Sequence, residues 1–117
     1  MSDIHLDHSV LSALRDVMED EFPVLLDTFM ADSAERLRQI MQAYDKADCQ
    51  ALRLAAHSFK GSCSNMGAPV LAGLCKQLED FARREQLADA PVLIQRIERE
   101  FALVRGLLQN ERHGLSR

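Results

Sequence analysis

Apolar residues recur every three or four positions through most of this 117-residue sequence, which is the spacing of one face of an α-helix. Sustained alternation of apolar and polar residues, the pattern of a half-buried strand, does not occur. The five glycines and three prolines leave long stretches in which a helix need not be interrupted. The sequence therefore predicts an all-α chain.

Residues that begin and end helices divide this pattern into segments. A short helix is predicted over residues 9–19, and a long second helix from Phe22 to near Lys46. Asp48 is placed to cap a third helix that ends near Gly67.

The second half of the chain contains two more helical segments. Pro69 suits the first turn of a fourth helix, and Asp89 is placed to cap a fifth that runs to about His113. Four substantial amphipathic helices joined by short turns predict an antiparallel up-and-down four-helix bundle, preceded by one short helix.

Length and composition restrict the classes of protein to which the chain can belong. We predict one helical domain over residues 9–112, with flexible tails at 1–8 and 113–117. The net charge of −4 argues against nucleic-acid binding. No apolar run of 18 residues and no signal peptide occur, so we expect a cytoplasmic protein that does not contact membranes. The apolar stripes are what one bundle buries, which favours a monomer.

One histidine of the third helix lies on its polar face. At 100° per residue, His57 points away from the apolar stripe that contains Leu52 and Phe59. Lys60 and Gly61 lie beside it, as do Arg53 and Ser64. A histidine among cations and next to a glycine is well placed for chemistry, although an ordinary surface histidine is the simpler alternative.

The fourth helix places a carboxylate at nearly the same distance as His57 from the turn that joins the third and fourth helices. His57 precedes Gly67 by ten residues and Glu79 follows it by twelve, so they lie about 15 and 18 Å from the turn. Arg83 shares the stripe of Glu79, and the two residues could equally form an ordinary i,i+4 ion pair on a solvated face. With Lys60, these residues form a candidate site across two helices.

Each of these residue types has a chemical use. A neutral imidazole is a nucleophile near pH 7, and a carboxylate such as Glu79 could hold its other ring N–H. Lys60 could neutralise the oxygens of a transferred phosphoryl group. Gly61 costs a helix about 1 kcal/mol relative to Ala. Close approach of another protein would explain this residue, and a close contact between helices is the alternative.

The peptide HSFKGSC at residues 57–63, followed by Gly67 and Ala68, resembles the signature of histidine-containing phosphotransfer (HPt) domains. The family pattern is a histidine, an apolar residue two positions later, Lys-Gly-Ser, and a glycine ten residues after the histidine. Phe59 stands where the family commonly has Leu, and Cys63 where a small hydroxyl residue is common. Both departures face inward.

The resemblance implies a function and roles for the site residues. By the resemblance, His57 is the phosphorylated residue and Lys60 is a neighbour that stabilises the phosphate. Gly61 would leave room for the partner. Glu79 occupies a position near the histidine at which the family often has a polar residue. HPt domains relay a phosphoryl group between receiver-domain aspartates, typically from a hybrid sensor kinase to a response regulator. They are stoichiometric carriers rather than enzymes. The resemblance assigns the ATP site to the kinase and Mg²⁺ to the receiver domain, so we expect no cofactor on this chain. Because no kinase or receiver sequence is linked to it, we expect a stand-alone HPt protein of the bacterial type.

A partner would dock around the histidine. The residues predicted for the rim of this surface are Arg53, Leu54, Ser64, Lys76 and Arg83. Leu54 is apolar and lies about 60° from His57 around the helix axis, which suits contact with a helix of a receiver domain. Because the partner must leave after transfer, we expect a small, transient interface.

Three other functions remain open at this point. The bundle could be an adaptor that binds receivers or kinases without carrying phosphate, a metal- or cofactor-holding bundle, or a structural, oligomerising bundle. The Glu-x-x-His ligand pairs of metal-holding bundles are absent, so we predict no metal site. The three cysteines form no CxxC pair and are predicted to be free thiols, of which Cys63 and Cys75 lie on apolar stripes.

Overall fold

The computed structural model describes residues 4–115, except for the side chain of Leu115. The helices are α1 (His8–Met18), α2 (Phe22–Asp45), α3 (Cys49–Met66), α4 (Pro69–Arg83) and α5 (Ala90–Leu115), with 3₁₀ turns at Glu19–Glu21 and Leu87–Asp89. No strand occurs within residues 4–115. The all-α class is confirmed.

Helices α2 to α5 form the predicted antiparallel four-helix bundle. Each packs against the helices before and after it in the chain, and α5 closes the bundle against α2. The contact between α3 and α4 is the most extensive. In the core, the ring of Phe59 on α3 meets that of Phe101 on α5 edge-on, with centroids 6.2 Å apart. Burying a side chain of this size contributes about 2–3 kcal/mol, so the apolar stripes hold the four helices in register.

The ends of α3 follow from local sequence. The Asp48 carboxylate accepts a hydrogen bond from the Ala51 N–H at 3.0 Å, which caps the first turn. Gly67 ends the helix in the left-handed region, with φ of 79°. Only Gly67 and Ala68 separate α3 from α4, and Pro69 occupies the first turn of the new helix. This short link makes α3 and α4 antiparallel neighbours.

The segment before α1 differs from the predicted flexible tail. Leu6 is buried, and Asp7 caps α1 by accepting a hydrogen bond from the Ser9 N–H at 3.0 Å. The Asp7 N–H donates to the Gly67 carbonyl at 2.7 Å, and His5 Nδ1 lies 2.6 Å from a carboxylate oxygen of Glu100. These contacts join the segment to the end of the bundle that contains the α3–α4 turn. Residues 1–3 of the predicted tail lie outside the described residues.

The last helix differs from its prediction at both ends. Asp89 was predicted to cap it, but this residue ends the 3₁₀ turn Leu87–Asp89, which leads directly into α5 at Ala90. At the other end α5 continues to Leu115, so residues 113–115 of the predicted tail are helical. Residues 116 and 117 lie outside the described part of the chain.

The cysteines are free thiols, as predicted, and Cys63 and Cys75 are buried. A hydrogen bond with Cys75, together with burial, raises the pKa of the Cys63 thiol. A raised pKa keeps this thiol protonated and therefore a poor nucleophile at neutral pH.

Across residues 4–115, none of the helices combines the length and the hydropathy that crossing a membrane requires.

Candidate functional site

The α3–α4 hairpin brings His57 and Glu79 into contact, as their distances from the turn predict. His57 Nδ1 lies 2.8 Å from Glu79 Oε2. The two side chains differ strongly in exposure, since 62% of the His57 side chain is accessible to solvent and only 3% of the Glu79 side chain. The imidazole therefore stands on the surface with one ring nitrogen held from below.

Glu79 is the centre of a charge network. Lys60 Nζ donates to Glu79 Oε1 at 2.9 Å, and Arg83 Nη2 lies 3.3 Å from Oε2. Burial alone would raise the pKa of Glu79, but the hydrogen bonds and charges of Lys60 and His57 together lower it. The carboxylate is therefore ionised at neutral pH and accepts hydrogen bonds from its neighbours.

An ionised Glu79 determines the tautomer of His57. A carboxylate without a proton can only accept, so the hydrogen between Oε2 and the ring belongs to Nδ1. In a neutral imidazole the lone pair is then on Nε2. The exposed ring therefore offers Nε2 as a nucleophile.

The burial of Glu79 was not predicted. The sequence left open a solvated face for Glu79 and Arg83, whereas the Glu79 side chain is only 3% exposed. The sequence signal that could have revealed this burial is the small residues Ala72 and Ala82, which are also buried on α4.

The predicted rim residues lie on both sides of His57. On α3, Leu54 is 51% exposed, Arg53 is half-buried and Ser64 is exposed. On α4, Lys76 and Arg83 are exposed and both reach Asp80, at 3.7 and 3.2 Å.

Sequence reasoning missed Asp80, although its spacing of four from Lys76 and three from Arg83 is that of helical ion pairs. The carboxylate of Asp80 therefore restrains two cations next to the site.

A groove next to Leu54 was also missed. It has a volume of about 370 Å³, lies between α2 and α3, and is lined on the α3 side by Leu54 and Ser58. On the α2 side it is lined by polar and cationic residues, among them Arg36, Gln39 and Lys46. Nothing in the local sequence of α2 marks this face, because it becomes a groove only when α3 packs beside it.

Gly61 borders open space. A Cβ atom built at this position meets no atom within 4 Å. A close contact with a neighbouring helix therefore does not explain this glycine, which weakens its own helix.

Within residues 4–115 no group of three or more His, Cys, Asp or Glu side chains is arranged to hold a metal ion. The Glu79 carboxylate is already bound by Lys60 and Arg83, and these cations would repel a metal ion.

The Glu79 network makes stability depend on pH. Because the pKa of Glu79 is lowered in the folded state, its contribution is complete above the unfolded value, near 4.5, and is lost as the pH falls through the folded pKa. We therefore expect Glu79→Gln to be less stable than wild type at pH 7, with a difference that shrinks as the pH falls below about 5. Urea unfolding at several pH values measures this. Glu98→Gln removes the same charge from an exposed position on α5, and its stability should match that of wild type at each pH. A difference for Glu79→Gln that is constant with pH would contradict the prediction.

Comparisons with known proteins identify a family and two similar proteins. The family model of the Hpt domain matches residues 24–110. The crystal structure of histidine-containing phosphotransfer protein B (HptB) from Pseudomonas aeruginosa PAO1 is similar over 96% of this chain and 97% of its own, with 60% identity and a TM-score of 0.93. The phosphorelay intermediate protein rdeA of Dictyostelium discoideum is 25% identical over an alignment of 103 residues, and the match covers 82% of this chain and 41% of that protein's length.

The match to the family model covers most of the bundle, including α3 and α4 with the His57 site. The resemblance seen in residues 57–63 is thereby confirmed, and the chain belongs to the Hpt domain family.

Proposed function

We propose that this protein relays phosphoryl groups on His57 within a phosphorelay. The contact between His57 Nδ1 and the buried Glu79 carboxylate, beneath a ring that is 62% exposed, is the observation that carries the proposal. Membership of the Hpt family supports it.

The transfer step follows from the tautomer. With Nδ1–H donated to Glu79, the lone pair of Nε2 attacks the phosphorus of an aspartyl phosphate on the partner. The Nε2–P bond forms, the bond between phosphorus and the aspartate oxygen breaks, and the aspartate leaves as a carboxylate. No proton has to leave His57, because the ring becomes a phosphorylated imidazolium.

Lys60 has a supporting role in this step. Its ammonium is held by Glu79 Oε1 one helical turn after His57, so a cation already lies near the ring before phosphate arrives. Phosphoryl transfer has a loose transition state, and positioning with charge neutralisation supplies most of the catalysis. We assign Lys60 to neutralising phosphoryl oxygens, with Arg83 as a second cation on the same carboxylate.

The donors and acceptors of the phosphoryl group are receiver domains in this proposal. A hybrid sensor kinase supplies the group and a response regulator takes it away, while this chain is a stoichiometric carrier without its own ATP site or cofactor. Mg²⁺ belongs to the receiver. In this proposal the carrier is a cytoplasmic monomer, and its exposed His57 ring is accessible to each partner in turn.

The docking surface surrounds His57 on α3. Leu54 is the large apolar residue next to the ring, and the α2–α3 groove beside it adds Arg36 and Lys46. Arg53, Ser64 and Lys76 complete the rim. A small apolar centre with a cationic rim suits a transient complex with the acidic phosphoacceptor face of a receiver.

Leu54→Ala tests this surface. Because Leu54 is 51% exposed, we expect little change in stability but about a tenfold weaker affinity for a receiver domain. Titration calorimetry with an unphosphorylated receiver measures the affinity. Leu103→Ala on α5, at a leucine that is 43% exposed, is the matched control and should bind like wild type. Equal affinities for all three proteins would contradict the proposed surface.

Gly61→Ala separates stability from transfer. The added methyl group meets open space, so the variant should be more stable by about 0.5–1 kcal/mol in urea unfolding. The same methyl group stands between His57 and a partner, and we expect transfer from a phosphorylated receiver to slow about tenfold. Transfer at the wild-type rate would show that Gly61 does not serve partner approach.

The function itself is tested by incubating the protein with a ³²P-labelled receiver domain. Wild type should acquire a label that is labile in acid and stable in alkali, as expected for phosphohistidine. A protein that binds several receivers without taking up label would be an adaptor. If the protein neither binds receiver domains nor takes up label, it shares the fold of HPt domains but not their function.

A further inference from the structure

We propose that the outer face of α5 is a second docking surface, which binds an acidic amphipathic segment of a partner protein. The residues that define this outer face are Val92, Arg96, Arg99, Leu103 and Leu107. Binding there goes beyond phosphoryl transfer and does not require it, since the His57 site is built on α3 and α4.

The outer face of α5 is apolar and basic. At 100° per residue, its five positions lie within about 40° of one line along the helix, roughly 22 Å long, and that line contains no aspartate or glutamate. Val92 is 66% exposed, and Leu103 and Leu107 are also exposed. Exposed apolar side chains that share one face indicate a binding surface, whereas scattered ones do not.

The two arginines of this face have no carboxylate partner among residues 4–115. Other arginines that do contact an aspartate or glutamate are Arg15, Arg38, Arg83 and Arg112. Arg99 has no acidic residue three or four positions away, and Glu100, four positions after Arg96, is buried and contacts His5. Two unpaired cations beside exposed apolar side chains complement a partner that carries carboxylates.

A groove between α4 and α5 makes one end of this face concave. It has a volume of about 360 Å³ and is lined by Phe81 on α4 and by Val92 and Arg96 on α5, among others. Phe81 is only partly buried, so an apolar side chain of a partner can pack against its ring. Asp89, in the 3₁₀ turn before α5, also lines the groove and would repel an acidic residue placed there. The carboxylates of the partner therefore belong beside Arg96 and Arg99.

The chemistry of the face selects the kind of partner. An apolar side chain in the groove, with carboxylates at Arg96 and Arg99, describes a helix that has acidic residues beside its apolar ones. A membrane surface is a poorer match, because helices that lie on membranes are rich in lysine and arginine. The outer face has two cations, and α5 contains no lysine.

The position of α5 leaves His57 accessible when this face is occupied. Helix α5 packs against α2 and α4 and lies diagonally across the bundle from α3. The outer face of α5 therefore points away from the outer face of α3. A partner segment bound to α5 would hold the protein in place while a receiver domain approaches the histidine.

The test is an NMR titration of the ¹⁵N-labelled protein with two synthetic 14-residue peptides. Both peptides have leucines every three or four residues, and the other positions are glutamate in one and lysine in its counterpart. We expect the glutamate peptide to shift the amide signals of α5 and Phe81, and the lysine peptide to bind there at least tenfold more weakly. Raising the salt concentration should weaken binding of the glutamate peptide. Equal affinities, shifts confined to the α2–α3 groove, or no binding would overturn the proposal.

Substitutions on α5 identify the surface that binds the peptide. Arg96→Gln combined with Arg99→Gln removes both cations, and affinity for the glutamate peptide should fall about tenfold. Arg105→Gln, at an exposed arginine on another side of α5, is the matched control and should bind like wild type. All three positions are exposed, so these variants should fold. Wild-type affinity in the double variant would contradict the assignment.

Two further measurements separate the alternatives. Vesicles of phosphatidylglycerol and phosphatidylcholine test a lipid partner, and wild type should not sediment with them. Sedimentation that the double variant loses would make a membrane the partner and overturn the proposal. Phosphoryl uptake by the double variant from a receiver domain should equal that of wild type, so docking on α5 and transfer on His57 can fail independently.

Discussion

His57→Gln is expected to take up no phosphoryl group from a receiver domain, with a label below about 1% of wild type. Glutamine has no ring nitrogen with a free lone pair, so no N–P bond can form. Its amide N–H can still donate toward Glu79, and the side chain that it replaces is 62% exposed. The variant should therefore fold and unfold like wild type to within about 0.5 kcal/mol.

The measurement is the ³²P-receiver assay, with circular dichroism to confirm folding. His113→Gln is the matched control, because His113 is an exposed histidine on the last turns of α5 and far from α3 in the chain. This control should be labelled as fully as wild type. Acid-labile label on His57→Gln would move the phosphorylation site to another residue and contradict the proposal.

Gly67→Ala is expected to have the largest effect on stability, a loss of about 2–4 kcal/mol. Gly67 has a φ of +79°, where a side chain is strained, and a Cβ atom there would lie 2.8 Å from Cβ of Val10. Relieving the clash would push α1 away from the α3–α4 turn and stretch the hydrogen bond from the Asp7 N–H to the Gly67 carbonyl.

Urea unfolding measures this loss. Gly73→Ala makes the same substitution within α4, where a Cβ atom meets nothing within 4 Å, and should stabilise the protein by about 0.5–1 kcal/mol. Phosphoryl uptake per folded molecule should be unchanged in Gly67→Ala, because His57 lies ten residues away along α3. A Gly67→Ala variant as stable as wild type would show that α1 is not held as the structure describes.

Much of the bundle and part of the site are determined by the sequence alone. Asp48, Gly67 and Pro69 end and begin helices through hydrogen bonds and dihedral angles within a few residues, and these boundaries were predicted correctly. The height of His57 relative to Glu79 follows from the rise of 1.5 Å per residue on either side of a short turn. Their contact was predictable for that reason.

Only the tertiary structure decided the burial of Glu79, the α2–α3 groove at Leu54 and the packing of Leu6 against the bundle. Each depends on how far one helix rotates about its axis against another, or on which distant segment covers an end of the bundle. Helical periodicity predicts the direction of a side chain only to within one row of residues on the helix surface. For Glu79, a rotation of one row separates a carboxylate in solvent from a buried carboxylate that contacts His57. Packing of whole helix faces selects between them, and that choice is made by residues far apart in the chain.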